Sequence, residues 1–202
     1  MNLLRSSWLA GCSLLLAAGL LGACQSGSES ADSAQQTETE PAAPAVERAV
    51  AVIHPTEGNE VSGTVLFSRE NEGIRIQARL QGLSEGAHGF HVHQYGDCTA
   101  SDGTSAGGHF NPFDMPHAGP TDAKRHVGDL GNISADAEGV GTYNRVDTVV
   151  AFSGQANVLG RAMVVHGGED DMSSQPSGAA GPRVACGVIG VANPQTSVST
   201  SG

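Results

Sequence analysis

Apolar and polar residues alternate with period two along several stretches of this chain. Residues 73–81 place Ile74, Ile76, Ala78 and Leu80 on one parity and Arg75, Gln77, Arg79 and Gln81 on the other. Successive side chains of a strand point to opposite faces, so this pattern predicts a half-buried β-strand. Residues 61–69 repeat it with Val61, Gly63, Val65 and Phe67, and residues 88–94 alternate again. Shorter apolar runs at 49–53, 130–134, 140–147, 158–165 and 184–191 complete a set of eight. Glycine-bearing turns such as Glu72-Gly73, Ser84-Glu85-Gly86 and Glu138-Gly139 separate them, and no long stretch carries a helical apolar stripe. Eight short strands punctuated in this way predict an all-β domain, either a closed barrel or a sandwich. Two connections, 95–128 and 167–182, are too long for hairpins and rich in Gly, Asp, Ser and Pro. Loops of that length in a compact domain are where function is expected.

The ends of the chain follow a different pattern. Arg5 and the apolar run 8–21 have the form of a secretory signal, too short to span a membrane as a helix. The run closes on Leu21-Gly22-Ala23-Cys24, which resembles a bacterial lipobox with Cys24 as the lipidated mature N-terminus; an ordinary signal peptide is the alternative. Residues 1–23 are therefore expected to be removed. Residues 24–46, with Glu29, Asp32, Glu38 and Glu40 and no basic side chain, are expected to form a disordered acidic tether. The domain is placed at 47–192 and a disordered polar tail at 193–202.

Composition narrows the function. The 202 residues carry 10 Lys and Arg against 21 Asp and Glu, a formal charge of −11. Such a chain lacks the basic face that a nucleic-acid binder needs, so no nucleic-acid partner is expected. Eight His in so acidic a chain is the anomaly, and all except His54 lie in or beside the two long loops. His91 and His93 share one face of a strand, with Phe90 and Val92 on the other. His109, His117 and His126 follow in a single loop, Asp129 comes three residues later, and His166 ends an apolar run. Imidazoles and a carboxylate suit zinc or copper. Taken singly, each has a plainer reading: surface histidines, a turn aspartate, a barrel-rim histidine. Together they point to a metal site.

Five separated segments carry a family resemblance. They are Gly89-Phe90-His91-Val92-His93, Gly108-His109-Phe110-Asn111-Pro112, Arg125-His126-Val127-Gly128-Asp129-Leu130-Gly131, Gly160-Arg161 through Val165-His166, and Arg183-Val184-Ala185-Cys186-Gly187-Val188-Ile189-Gly190. In order and spacing, over residues 49–192, they resemble copper/zinc superoxide dismutase. The resemblance implies an eight-stranded Greek-key flattened barrel with two functional loops. It implies copper on His91, His93, His109 and His166, and zinc on His109, His117, His126 and Asp129, with His109 bridging as a deprotonated imidazole. His109 and Arg183 take the catalytic roles. Asp170 links a copper histidine to a zinc histidine behind the ligands, and His88 pins loop ends without ligating. His54 matches nothing functional. The substrate implied is superoxide, converted to O2 and H2O2 by copper cycling while zinc stays structural.

With Cys12 in the signal and Cys24 at the lipobox, Cys98 and Cys186 remain, the pair that in the family ties the metal loop to the last strand; two buried thiols are the alternative. The lipobox implies an exported enzyme, anchored by lipid in a bacterial cell envelope and protecting it from superoxide. Gln25 after Cys24 matches outer-membrane sorting. The chain departs from the family pattern in loop 167–182, which has no Lys to steer an anion and carries Glu169, Asp170 and Asp171. Residues 158–161 and 187–192 resemble the eukaryotic-type dimer surface, so a homodimer is expected. A surface-tethered copper store and an adhesive β-domain are the competing classes. Arg183 argues against the store, and the six aligned histidines argue against adhesion.

Overall fold

The computed structural model describes residues 45–197. The signal, Cys24 and the acidic tether as far as residue 44 lie outside the described residues. The strands run β1 (Arg48–Pro55), β2 (Ser62–Glu70), β3 (Gly73–Gln81), β4 (Gly86–His93), β5 (Asp129–Ala135), β6 (Gly141–Asp147), β7 (Ala162–His166) and β8 (Arg183–Val191). They close into an antiparallel barrel in the order β1-β2-β3-β6-β5-β4-β7-β8. β3 therefore lies beside β6 and β4 beside β7, and the chain crosses over between β3 and β4 and between β6 and β7, which makes it the expected Greek key. Among the described residues the only helical piece is a 3-10 turn at Thr104–Ala106.

Alternation determines which residues fill the barrel. Phe67, Ile76, Leu80, Phe90, Ile133, Met163 and Ile189 are among the largest side chains buried in one apolar cluster inside it. The β3 pattern holds: Ile74, Ile76, Ala78 and Leu80 are buried while their neighbours are half-buried or exposed. One element starts later than the apolar pattern suggests. Residues 158–160 do not continue β7; the Arg161 amide closes a turn on Val158 O, and Gly160 has φ of 76°. Val158 is nevertheless fully buried, so its apolar side chain plugs the core from a loop rather than from a strand. At the other end, residues 193–197 leave β8 through a turn, and Arg48 Nη1 donates to Pro194 O at 2.6 Å.

β4 differs from the other long strands in being buried on both faces from His88 to His93. Phe90 and Val92 point into the core, whereas His91 and His93 point outward beneath the two long loops. The first loop is stitched to the strand by main-chain bonds: Val92 donates to Gly128 O, Phe110 to Val92 O, and Gly128 to Phe110 O, all at 2.9–3.0 Å. A β-carbon on Gly128 would stand 2.0 Å from Val92 O, so only glycine permits this approach. The stitching lays His109 beside His93 as an isolated bridge and pairs Asp129 with His91. A Cys98–Cys186 disulfide ties the same loop to β8 across 88 residues. Closing so long a loop is worth about 4–5 kcal/mol in the chain-entropy view.

Candidate metal centre

Two sets of metal-ligating side chains meet where the loops cover β4. One comprises His91, His93, His109 and His166, the other His109, His117, His126 and Asp129; within each set the candidate ligand atoms lie within 4.8 Å of one another. All seven side chains are buried. Every residue expected as a ligand is therefore gathered into one of two adjoining clusters, and His109 belongs to both. His88 stands apart, its Nδ1 3.0 Å from His166 O and its Nε2 2.9 Å from Ser84 O, tying β4 to the end of β7. His54, on β1, belongs to neither cluster.

Hydrogen bonds orient each ring. His93 Nδ1 donates to Gly107 O at 2.9 Å and His166 Nδ1 to Gly181 O at 3.1 Å, which leaves both Nε2 lone pairs free; these two atoms come to 3.3 Å of each other. His91 uses Nε2 on Asp170 Oδ2 at 2.8 Å, and its Nδ1 is buried without a hydrogen-bond partner. His109 directs Nδ1 to Asp129 Oδ1 at 2.8 Å, while its Nε2 is likewise buried and unpartnered. Orphaned buried nitrogens are costly unless something fills the space between them. An ion accepting their lone pairs would do so.

The second cluster is built around Asp129. Its Oδ1 lies 2.8 Å from His109 Nδ1, 3.0 Å from His117 Nδ1 and 3.1 Å from His126 Nδ1. Donors around a tetrahedral zinc with bonds of about 2.0–2.1 Å stand about 3.3 Å apart, so this set is close to ion-sized. Its other oxygen accepts from the main-chain amides of His126 at 2.9 Å and Ala118 at 3.2 Å, which fixes the carboxylate. Burial works to raise the Asp129 pKa, but the three imidazoles packed around it, His109 and His126 through hydrogen bonds, outweigh it and hold the carboxylate ionised.

The electrostatics favour neutral ligands at the first cluster. Burial pushes His91 down to about 3 and His166 to about 4, and lowers His93 and His109 as well. A neutral imidazole is the form that ligates. At His117 burial again works downward, but Asp129 and Asp170 override it and raise the ring to about 9. An ion entering there would take the place of a proton.

Asp170 joins the clusters from behind. It is buried, with Oδ2 on His91 and Oδ1 on His117 Nε2 at 2.9 Å. Asn132, on β5, clamps its main chain in both directions, donating to Asp170 O at 2.9 Å and accepting from Asp170 N at 2.8 Å. Arg183, at the start of β8, sends Nη1 to Gly103 O at 2.6 Å and Nη2 to Gly107 O. Its charge acts on His93 and His166, adding to the effect of burial on both rings. Two supports were not foreseen. One is Asn132. The other is Arg125, whose Nη2 meets Asp147 at 2.6 Å while Nη1 reaches the carbonyls of His126 and Asp129. The pair is buried and anchors the His126–Asp129 turn to the end of β6.

A closed Greek-key barrel carrying adjoining imidazole and imidazole–carboxylate clusters defines a two-metal protein of the copper and zinc type. The family profile described as copper/zinc superoxide dismutase (SODC) matches residues 61–189, and the chain belongs to that family. It is 46% identical over 153 residues to a superoxide dismutase [Cu-Zn] of Yarrowia lipolytica, covering 71% of this chain and 97% of the relative. It is 43% identical over 152 residues to an extracellular superoxide dismutase [Cu-Zn] of Brugia pahangi, covering 71% and 75%. Among solved structures, the crystal structure of the clock protein EA4 shares the fold with a TM-score of 0.68 and 39% identity, covering 74% of this chain and 98% of that one. The family's cofactors are copper and zinc, and its reaction is the dismutation of superoxide.

Replacing Asp170 with Asn removes a carboxylate that two ligand histidines share. Asp170→Asn is expected to fold but to bind metal about 10–100-fold more weakly at both clusters. Competition against a chromogenic chelator measures this, and unchanged affinity at both clusters would refute it.

Proposed function

We propose that His91, His93, His109 and His166 hold copper, that His109, His117, His126 and Asp129 hold zinc, and that Arg183 receives the superoxide anion that the chain, as a member of this family, dismutes. The carrying observation is His109, which engages the second cluster through Nδ1 and offers an unpartnered Nε2 to the first. Copper supplies one-electron cycling between Cu(II) and Cu(I), and zinc, being redox-inert, supplies a fixed charge that holds His109. Two superoxide anions and two protons give one O2 and one H2O2. His109 Nε2 is the atom where a proton is held between the two halves of the cycle, because Asp129 and the second cluster fix the ring through its other nitrogen. His93 and His166 keep their protons on Nδ1, so their ligand atoms stay available throughout. Arg183 presents a planar cation to a small anion, and its bonds to Gly103 O and Gly107 O hold it still.

The Cys98–Cys186 bridge and the likeness to an extracellular relative fit an exported protein. Within that class we read a lipoprotein anchored through Cys24 at the outer membrane of a bacterial envelope, where the enzyme removes extracytoplasmic superoxide. The exposed Val52 of β1 and Val188 of β8 flank one surface hollow and support a homodimer joined through these strands.

Four outcomes test these readings. The domain carries excess acid, so its long-range field does not attract an anion, and salt screens beyond about 8–10 Å. Arg183 acts within that distance. Turnover measured by pulse radiolysis is therefore expected to fall only weakly with ionic strength, or to rise. Arg183→Glu should lose far more activity than Lys124→Glu, with copper and zinc content retained in both. A steep fall with salt in the wild type would reveal a steering patch and count against the reading. Cys24→Ala is expected to release the enzyme from the membrane fraction or stall its processing, and an unchanged fraction on cell fractionation would defeat the anchor. Val52→Glu should shift sedimentation toward the monomer if β1 and β8 form the joint, whereas a monomeric wild type would end the dimer reading.

A further inference from the structure

His117 poses a problem that its own loop does not solve. It is buried, its segment belongs to no strand, and no main-chain partner satisfies its amide or carbonyl. Buried main-chain groups must be paired. The partner is a single side chain of the other loop: Gln175 Oε1 accepts from His117 N at 2.9 Å, and Gln175 Nε2 donates to His117 O at 2.8 Å. A carboxamide carries one acceptor and a donor side by side, as a peptide unit does, and among side chains only Asn and Gln offer that pair. Gln175 thus stands in for a neighbouring strand.

The segment bearing Gln175 is itself held closed. Asp171 N donates to Gly178 O at 2.9 Å, and Gly178 N to Ser174 O at 2.7 Å. Asp171 Oδ1 accepts from the amides of Ser173 at 2.9 Å and Ser174 at 2.8 Å. Gly178, with φ of 68°, lies on the Asp170–His117 hydrogen bond so closely that a β-carbon there would stand 1.8 Å from Asp170 Oδ1 and 2.8 Å from His117 Nε2. His117 is therefore gripped at three points by residues 170–178: its ring by Asp170, its main chain by Gln175, and the contact between ring and carboxylate by the Gly178 backbone.

We infer that Gln175 is a positioning residue for the second metal cluster, aiming His117 Nδ1 by clasping the His117 main chain. The inference rests on the reading of His117 as a zinc ligand. Gln175 touches no ligand atom, so its effect passes through the orientation of His117. Gln175→Met keeps the length and removes both hydrogen bonds. Gln175→Glu keeps an acceptor but sets a carboxylate oxygen against His117 O. Zinc affinity, measured by chelator competition, is expected to weaken about 10-fold or more in Gln175→Met, and further in Gln175→Glu, while copper affinity at the first cluster barely changes. A merely structural role would weaken both metals together and lower the melting temperature of the metal-free protein.

A second readout needs no metal. The His117 amide should exchange with deuterium markedly faster in metal-free Gln175→Met than in the metal-free wild type. Zinc affinity equal to that of the wild type, or an unchanged His117 amide, overturns the inference. A wild type whose amide is protected by Gln175 but whose second cluster takes no zinc would defeat the assignment of His117 as a ligand and leave the clasp standing.

Discussion

Everything at the metal centre depends on β4 being covered on both faces. A strand of a closed barrel normally leaves one parity to water, and that parity is polar for that reason. Here the outward parity holds His91 and His93, and both are almost wholly removed from solvent. Two consequences follow. The imidazoles are kept neutral by burial, the form in which they bind metal. The covering loops must also supply a partner for every polar atom they trap, because an unpaired buried group costs about 1–3 kcal/mol. Among the buried atoms left unpartnered, His91 Nδ1, His109 Nε2 and His117 Nδ1 belong to the two ligand clusters, and Arg125 Nε is a further exception in the loop.

The loops meet that demand with charge and hydrogen bonds more than with apolar packing. The Arg125–Asp147 pair is buried, and Arg125 also satisfies carbonyls of the turn that carries His126 and Asp129. A buried ion pair is weak evidence of net stabilisation, since desolvation offsets the attraction. Its value here is positional. Losing either partner would leave a buried charge beside the second cluster, so the turn has one well-defined geometry. Asp147 extends the fixation by accepting from the amides of Val149 and Val150, both at 2.9 Å. The barrel core and the metal loop are in this way joined through the end of β6, while Cys98–Cys186 joins the same loop to β8.

Periodicity made the barrel legible and motif spacing made the ligands legible, because both signals are local or repeated. The alternation in β3 appears unchanged in the structure. The boundary at 158–161 was obscured because Val158 and Leu159 are as apolar as the strand that follows; Val158 serves the core from a turn, a distinction that hydrophobicity does not encode. The polar supports were harder still. Asn132 and Asp170 are 38 residues apart, and Gln175 and His117 are 58 apart. No period or short motif links such pairs. An asparagine on a strand and a glutamine in a loop resemble ordinary surface residues until the fold brings their partners to them. Arg125 and Asp147 were visible as residues but carried no sign that they meet.

The same internal use of polar groups shapes the approach of an anion. Loop 167–182 commits Asp170 to two imidazoles and Asp171 to its own amides, so these carboxylates act as scaffold, and the loop contributes no cation in return. Arg183 must then attract the anion while being held in place. Its anchors are the carbonyls of Gly103 and Gly107. Carbonyls orient a guanidinium without cancelling its charge, and a five-donor fork retains N–H groups beyond the two so used. A carboxylate anchor would have positioned the arginine equally well but neutralised it. Asp102 does act on Arg183, yet it is exposed, and its oxygen is occupied by the Thr104 amide and hydroxyl. The cation beside His93 and His166 is thereby fixed by neutral groups, which leaves its field directed at the metal-binding face even though the surrounding domain is acidic.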